Sequence, residues 1–209
     1  MDQPLLSPEQ VSWGTEPAER ADAARNRRLL LATAREMLAA DGADKLTMDG
    51  LAERAGLGKG TVFRRFGTRA GIFRALLDDA ERSFQKLVLT GPPPLGPGAP
   101  PLDRLVAYGR ARIGFLIEHR DIARATLDGS EPIPAGSRTP MSQLHIRVLL
   151  GQIDIGPADL DMLAVQLSAA LDGPLLLYLS ADDLAEPAPR TAERIARAWQ
   201  DLIRRACRP

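Results

Sequence analysis

The stretch TGPPPLGPGAPP, residues 90–101, constrains the fold of this chain more than any other feature. Proline lacks an amide donor and its ring clashes with a preceding helical turn, so neither a helix nor a strand absorbs the segment. It reads as a linker stiffened by polyproline conformation. On both sides of it apolar residues recur with helical period, and no alternating strand pattern or internal repeat is present. The chain is therefore expected to be all-α, with a small N-terminal module and a larger C-terminal bundle.

Within the N-terminal part, residues 1–22 form an arm without periodicity, and a first helix starts at about 23 with Leu30, Ala34, Met37 and Leu38 on one stripe. DGADK at 41–45 ends it, and Gly42 suits the left-handed position after a helix. Thr47 is placed to cap a second helix, with Asp49 in its first turn favouring the helix dipole. Gly56 stops that helix. A third covers 59–66, and Thr68 caps a fourth that reaches about 88 along Ile72, Leu76, Ala80 and Phe84. Residues 23–68 thus form one domain and 69–209 the other, with helix 69–88 connecting them. Beyond the linker, helical patterns cover about 102–119, 121–128, 140–152, 157–180 and 189–206, with a loop at 128–140.

Charge separates the two parts. The whole chain has 27 basic and 27 acidic residues, but residues 20–75 hold twelve Arg or Lys against six Asp or Glu. Such a module faces an anionic partner. The single cysteine, Cys207, cannot form an internal disulfide, which fits a reducing, cytoplasmic setting. No secretory pattern opens the chain, and PLLLYL at 174–179 is too short to span a membrane. Two histidines and one cysteine make no metal site, and neither a phosphate-binding loop nor a nucleophile elbow is found, so no enzyme activity and no cofactor are expected.

Residues 47–66 have the pattern of a helix-turn-helix. Ala52 is small where two helices cross, Gly56 supplies a positive φ, and Val62 fills the space between the helices beside Leu51 and Leu57. At 100° per residue, Val62 and Phe66 of the third helix point inward. Gly60, Thr61 and Arg64 point outward, with Phe63 and Arg65 on the flanks. A glycine in a helix costs about 1 kcal/mol relative to alanine, which makes sense if a partner must come close to the backbone there. The major groove of DNA is such a partner. Arg64 suits a guanine edge, and Thr61 a base edge or thymine methyl. Lys59 and Arg65 suit phosphates, as does Arg69 with the free N–H groups opening the fourth helix. Thr47 opens another helix that can meet the backbone. Arg20, Arg25, Arg27 and Arg28 before and in the first helix suit the minor groove or phosphates.

LTMDGLAERAGLGKGTVFRRFGTRAGIF, preceded by RNRRLLLATAREMLAADG, resembles the N-terminal domain of the TetR family of bacterial transcriptional repressors. The resemblance covers residues 25–77. It implies an all-helical homodimer with a three-helix DNA-binding domain and a C-terminal helical domain that binds a small effector and dimerises. Effector binding then releases a palindromic double-stranded DNA operator. Some positions depart from the family pattern. Gly58 stands where serine usually opens the recognition helix, Phe63 where tyrosine is common, and Arg65 where histidine is frequent. Ala70 and Gly71 replace a small and acidic pair. Phe63 lacks the hydroxyl that would meet a phosphate.

In the C-terminal body, the last helix puts Ile195, Ala198, Trp199, Leu202, Ile203 and Ala206 on one face. The helix before it is apolar on more than one face, so it needs burial on two sides. Gly173 and Pro174 are expected to kink it. The resemblance implies that these two helices form a four-helix dimer interface, through Leu163, Leu167, Leu171, Ile195, Trp199 and Leu202. Two recognition helices related by a twofold axis read half-sites about 34–36 Å apart. An effector pocket would draw on Tyr108, Phe115, Met141, Leu144, His145, Met162, Gln166 and Tyr178, apolar walls with a few polar tips. Two other readings stay open. One is a DNA-binding protein regulated by a protein partner without any small molecule, and the other a helical ligand-binding protein or enzyme whose basic face is incidental.

Overall fold

A computed structural model of the protein describes residues 16–126, 140–179 and 188–208. The expected loop at 128–140 and the first part of the arm lie outside these residues, as do the side chains of Arg20 and of residues 174–179. The described residues form helices and turns, with no strand among them. In chain order the helices are α1 (Glu16–Asp41), α2 (Met48–Arg54), α3 (Lys59–Phe66), α4 (Arg69–Thr90), α5 (Pro101–Glu118), α6 (Arg120–Ala125), α7 (Pro140–Leu150), α8 (Leu160–Leu179) and α9 (Ala188–Ala206). A 3-10 turn at Ala43–Lys45 separates α1 from α2. None of the helices is long and apolar enough to cross a membrane, among the described residues.

Two compact units result, Met1–Ile72 and Phe73–Pro209, so the division falls inside α4 rather than at 68/69. The first helix also begins earlier than expected, at Glu16 rather than 23, which takes in the end of the arm. PAERADAARNRR is rich in helix formers, and alanine disfavours helix least of all residues; a search for apolar periodicity passes over it because it has no apolar stripe.

The core of the first unit is built from Leu30, Leu31, Ala34 and Met37 of α1, Leu46 of the turn, Met48, Leu51 and Ala52 of α2, Val62 of α3, and Ala70 and Ile72 at the start of α4. Gly42, at φ 80°, turns the chain out of α1. Gly71 is required for another reason. A Cβ there would lie within 1.9 Å of the Phe66 carbonyl oxygen, so the start of α4 passes against the end of α3 with room only for hydrogen.

In the second unit α5 packs along α9, α8 along α7, and α5 against α7. The core includes Phe84, Val88, Leu105, Tyr108, Ile113, Phe115, Ile146, Leu149, Leu167, Leu171, Trp199 and Ile203. The proline-rich segment belongs to this unit and is not a spacer between domains. The Gly91 amide donates to Leu87 and the Gly96 amide to Pro92, both at 2.9 Å, and Leu95 packs on the core. Helix α8 continues through Gly173 and Pro174 to Leu179.

Candidate nucleic-acid interface

The turn between α2 and α3 follows from local chemistry. The Thr47 hydroxyl accepts the Gly50 amide at 3.1 Å and caps α2. At the other end the Leu57 amide reaches the Ala52 carbonyl at 3.0 Å and the Gly56 amide reaches Glu53 at 3.1 Å. This pair of bonds places Gly56 in the left-handed position, at φ 64°. Gly58 then opens α3 with extended backbone and no side-chain cap. Val62, wholly buried, pins α3 to α2, where Leu51 and Ala52 are buried as well.

That anchoring decides what α3 presents. Gly60 is exposed, and nothing lies within 4 Å of the place a Cβ would take. Its lack of a side chain therefore answers no internal need. Arg64 is exposed, with no hydrogen-bond or ion-pair partner among the described residues. Phe63 is 49% exposed, a large apolar ring left in water. Thr61 is half-buried, further inward than its outward assignment suggests.

The other cations have protein partners. Lys59 Nζ lies 2.9 Å from the Asp49 carboxylate, with both groups exposed, a pairing that high dielectric keeps weak. Arg65 donates to the Ala23 carbonyl of α1 at 2.7 Å. Arg28 leans on the Ala24 carbonyl one turn back at 3.4 Å, Arg25 pairs with Asp22, and Arg27 is half-buried. Arg69, assigned to phosphate, is engaged within its own unit. It donates from Nε to Leu46 at 2.7 Å and from Nη2 to Ala43 at 2.6 Å, so its guanidinium ties α4 to the turn before α2. Thr68, as expected, caps α4 through the Gly71 amide at 3.1 Å.

A small, half-open hollow lies within the second unit. Its walls are Glu81, Phe84, Gln85, Val88 and Leu89 of α4, Tyr108 of α5, and Met141, Ser142 and His145 of α7. Of the residues expected in a pocket, the structure brings together Tyr108, Met141 and His145, with the Phe115 ring tilted against Phe84 at 5.2 Å. Leu144, Met162 and Gln166 are exposed and do not line this hollow. Tyr178 lies among the side chains outside the described residues.

Polar groups around the hollow are held tightly. The Tyr108 hydroxyl donates to Ser142 Oγ at 2.6 Å, and the Tyr108 and His145 rings meet at 4.9 Å. Burial raises the Tyr108 pKa and, together with Arg104, lowers that of His145 to about 4, so the imidazole is neutral near pH 7. Arg112 is buried against Glu81 at 2.6 Å, with its guanidinium 5.1 Å from the Phe115 ring centre and 5.7 Å from that of Phe84. Burial raises the Asp172 carboxyl, against the pull of Arg112. The sequence reading missed Glu81, Arg104 and Arg112. A signal was available, because Arg104, Tyr108 and Arg112 recur at four-residue spacing on the face of α5 that includes the buried Leu105 and Tyr108.

Three of the residues assigned to a dimer interface need correction. Leu167, Leu171 and Trp199 are enclosed by the core of their own chain, with Trp199 donating to the Leu105 carbonyl at 3.2 Å. Leu163 and Ile195 are half-buried, and Leu202 remains 41% exposed. Exposed apolar side chains lie instead at Met162 and Val165 of α8 and at Leu144 and Val148 of α7. No group of three or more His, Cys, Asp or Glu able to hold a metal occurs among the described residues.

Residues 30–76 match the family model of bacterial regulatory proteins of the tetR family. A comparison with curated proteins gives no match. Among solved structures, a TetR-family transcriptional regulator from Pectobacterium atrosepticum is similar at TM-score 0.68 and 20% identity, over 91% of this chain and 98% of that one. A regulator of the TetR/AcrR family from Thermobifida fusca is similar at TM-score 0.58 and 18% identity, over 85% and 97%. A third structure, described as the molecular basis for control of antibiotic production by a bacterial hormone, is similar at TM-score 0.59 and 16% identity, over 88% and 98%. At these identities the likeness to solved structures establishes the fold. The matched segment, residues 30–76, spans the helix-turn-helix of a chain whose fold is similar to that of these regulators.

Proposed function

We propose that the protein is a homodimeric, sequence-specific repressor, released from a palindromic double-stranded DNA operator by a small molecule. The carrying observation is the outer face of α3. There Arg64, without a partner among the described residues, and an open Gly60 stand one turn apart on a helix braced by Val62. Arg64 reads a guanine, the bare backbone at Gly60 lets the helix sit deep in the major groove, and Thr61 and Phe63 flank it. Lys59 and Arg65 meet phosphates, exchanging weak surface contacts for charge-assisted ones, and Thr47, Arg27 and Arg28 add to the backbone grip.

One recognition helix reads few bases, so a second copy is needed for specificity. Met162 and Val165 of α8, 53% and 42% exposed, with Leu202 of α9, supply apolar surface for that copy. The hollow serves as the effector site. Five of its lining residues lie on α4, the helix that starts at Arg69 directly after the recognition helix, so occupancy reaches the DNA-binding unit along one element.

Selection of bound sequences from random duplexes tests this reading. The expected product is a palindrome with half-sites about one helical turn apart. Recovery of no preferred sequence, with only salt-sensitive binding, would overturn it. An operator that no small molecule releases would favour regulation by a protein partner.

A further inference from the structure

Among the described residues, three buried side-chain polar atoms lack a hydrogen-bond partner: Arg104 Nε, Arg112 Nε and His145 Nε2. All three are nitrogens, and they lie on α5 and α7, the helices that close the hollow opposite α4. His145 lines the hollow directly, Arg112 sits over the ring of its wall residue Phe84, and Arg104 is one turn before Tyr108. Buried donors are nearly always paired in folded proteins, so three together ask for an acceptor.

Charge narrows the answer. Arg112 is compensated by Glu81 at 2.6 Å, and Asp172, whose carboxyl burial biases towards the neutral form, lies close to the same pair. Tyr108 and Ser142 satisfy one another. Arg104 has no hydrogen-bond or ion-pair partner among the described residues, and its field contributes to keeping His145 neutral. Arg104 is thus a guanidinium at this end without a carboxylate partner among the described residues, near walls made by Phe84, Val88, Leu89 and Met141.

Resting on the effector reading above, we infer that the hollow takes a small amphipathic monocarboxylic acid, its carboxylate between Arg104 and His145 and its apolar body against Phe84, Val88, Leu89 and Met141. A carboxylate gives Arg104 the partner it lacks among the described residues. A phosphate dianion brings excess charge into an apolar site, and an ammonium ion meets Arg104 with like charge. With the carboxylate in place, His145 carries its proton on Nε2 and donates it, and Arg104 donates from Nε.

The test is calorimetric titration of the full-length protein with octanoate and benzoate, and with octanamide, benzamide and octylamine. The acids are expected to bind about tenfold or more tighter than their amides, octylamine weakest. Arg104→Gln should weaken the acids far more than the amides, bringing the two to a similar level, and Arg104→Lys should restore part of the preference. Equal affinity for acid and amide, undiminished acid binding in Arg104→Gln, or no binding by any of the five overturns the inference. Operator binding is recorded on the same preparations. Amides that release DNA without an acid preference defeat this inference alone, whereas loss of operator recognition defeats the regulator reading.

Discussion

Arg69 and Leu46 are joined by a hydrogen bond from the guanidinium Nε to the main-chain carbonyl at 2.7 Å, and the same side chain reaches Ala43 at 2.6 Å. Leu46 is wholly buried, so its carbonyl has little access to water as an alternative partner. The first residue of α4 thereby fixes the turn from which α2 departs, and α2 in turn sets the position of α3.

Replacing Arg69 by alanine removes two charge-assisted bonds and leaves a buried carbonyl unpaired. A loss of about 2–4 kcal/mol of stability is expected. Thermal unfolding measures it, and DNA affinity should fall for cognate and random duplexes alike. An unchanged melting temperature with a lower affinity would restore the phosphate role.

At Gly60 stability and function should move in opposite directions. With open space around the position, Gly60→Ala should stabilise the fold by about 1 kcal/mol through helix propensity. If α3 docks as proposed, operator affinity should nevertheless fall, because the new methyl would meet the groove floor. Chemical denaturation and DNA titration on one preparation give both values, and unchanged affinity would show that DNA stays away from this backbone.

Arg64 and Arg65 are adjacent but differ in what already holds them. Arg64→Ala should cost about 1–3 kcal/mol at the cognate site and relax base preference at one position. Arg65→Ala should weaken all duplexes similarly and flatten the salt dependence. It also frees the Ala23 carbonyl of α1. Equal losses on cognate and random DNA for both variants would refute this division.

A methyl group at Gly109 would fall 2.0 Å from Nε1 of Trp199. Gly109→Ala should therefore displace the indole, break its bond to Leu105 and destabilise the second unit by about 3 kcal/mol or more. A red-shifted tryptophan emission is the expected signature. An unaltered spectrum and melting temperature would contradict the packing.

His145 makes stability depend on pH. Its folded pKa, about 4, lies below the ordinary 6.5 because burial, and then Arg104, oppose the charged ring. Between those values the unfolded chain binds a proton that the folded chain refuses. Its contribution is complete above pH 6.5 and lost as pH falls to about 4. Allowing for the partial exposure of the ring, the loss is about 1–2 kcal/mol. His145→Gln should flatten this part of the profile. Asp172, shifted the other way, acts equally in both proteins and cancels in the difference. Parallel profiles would refute the assignment.

The helix-turn-helix could be read from sequence because its determinants are local. Thr47 and Gly50, Ala52 and Leu57, and Thr68 and Gly71 each lie within a few residues of one another, and each pair bonds as capping rules require. Arg69 could not be read this way. Its partners lie 23 and 26 residues earlier, and an arginine at a helix start looks equally suited to phosphate. Trp199 illustrates another gap. Periodicity identifies the apolar face of α9, but only the glycine on α5, far away in sequence, reveals that the indole is covered by its own chain. The charged stripe on α5 was present in the sequence, yet its meaning depends on α4 and α7 closing over it.

The compact turn at 91–96 changes how the protein can be re-engineered. So many prolines and glycines mark a stretch usually chosen for inserting tags, cleavage sites or extra length. Here a side chain at Gly96 would run into the Gly91 carbonyl oxygen at 1.8 Å. Grafting a reporter at that point would pry Leu95 off the interior and loosen the clasp that returns the chain from α4 to α5.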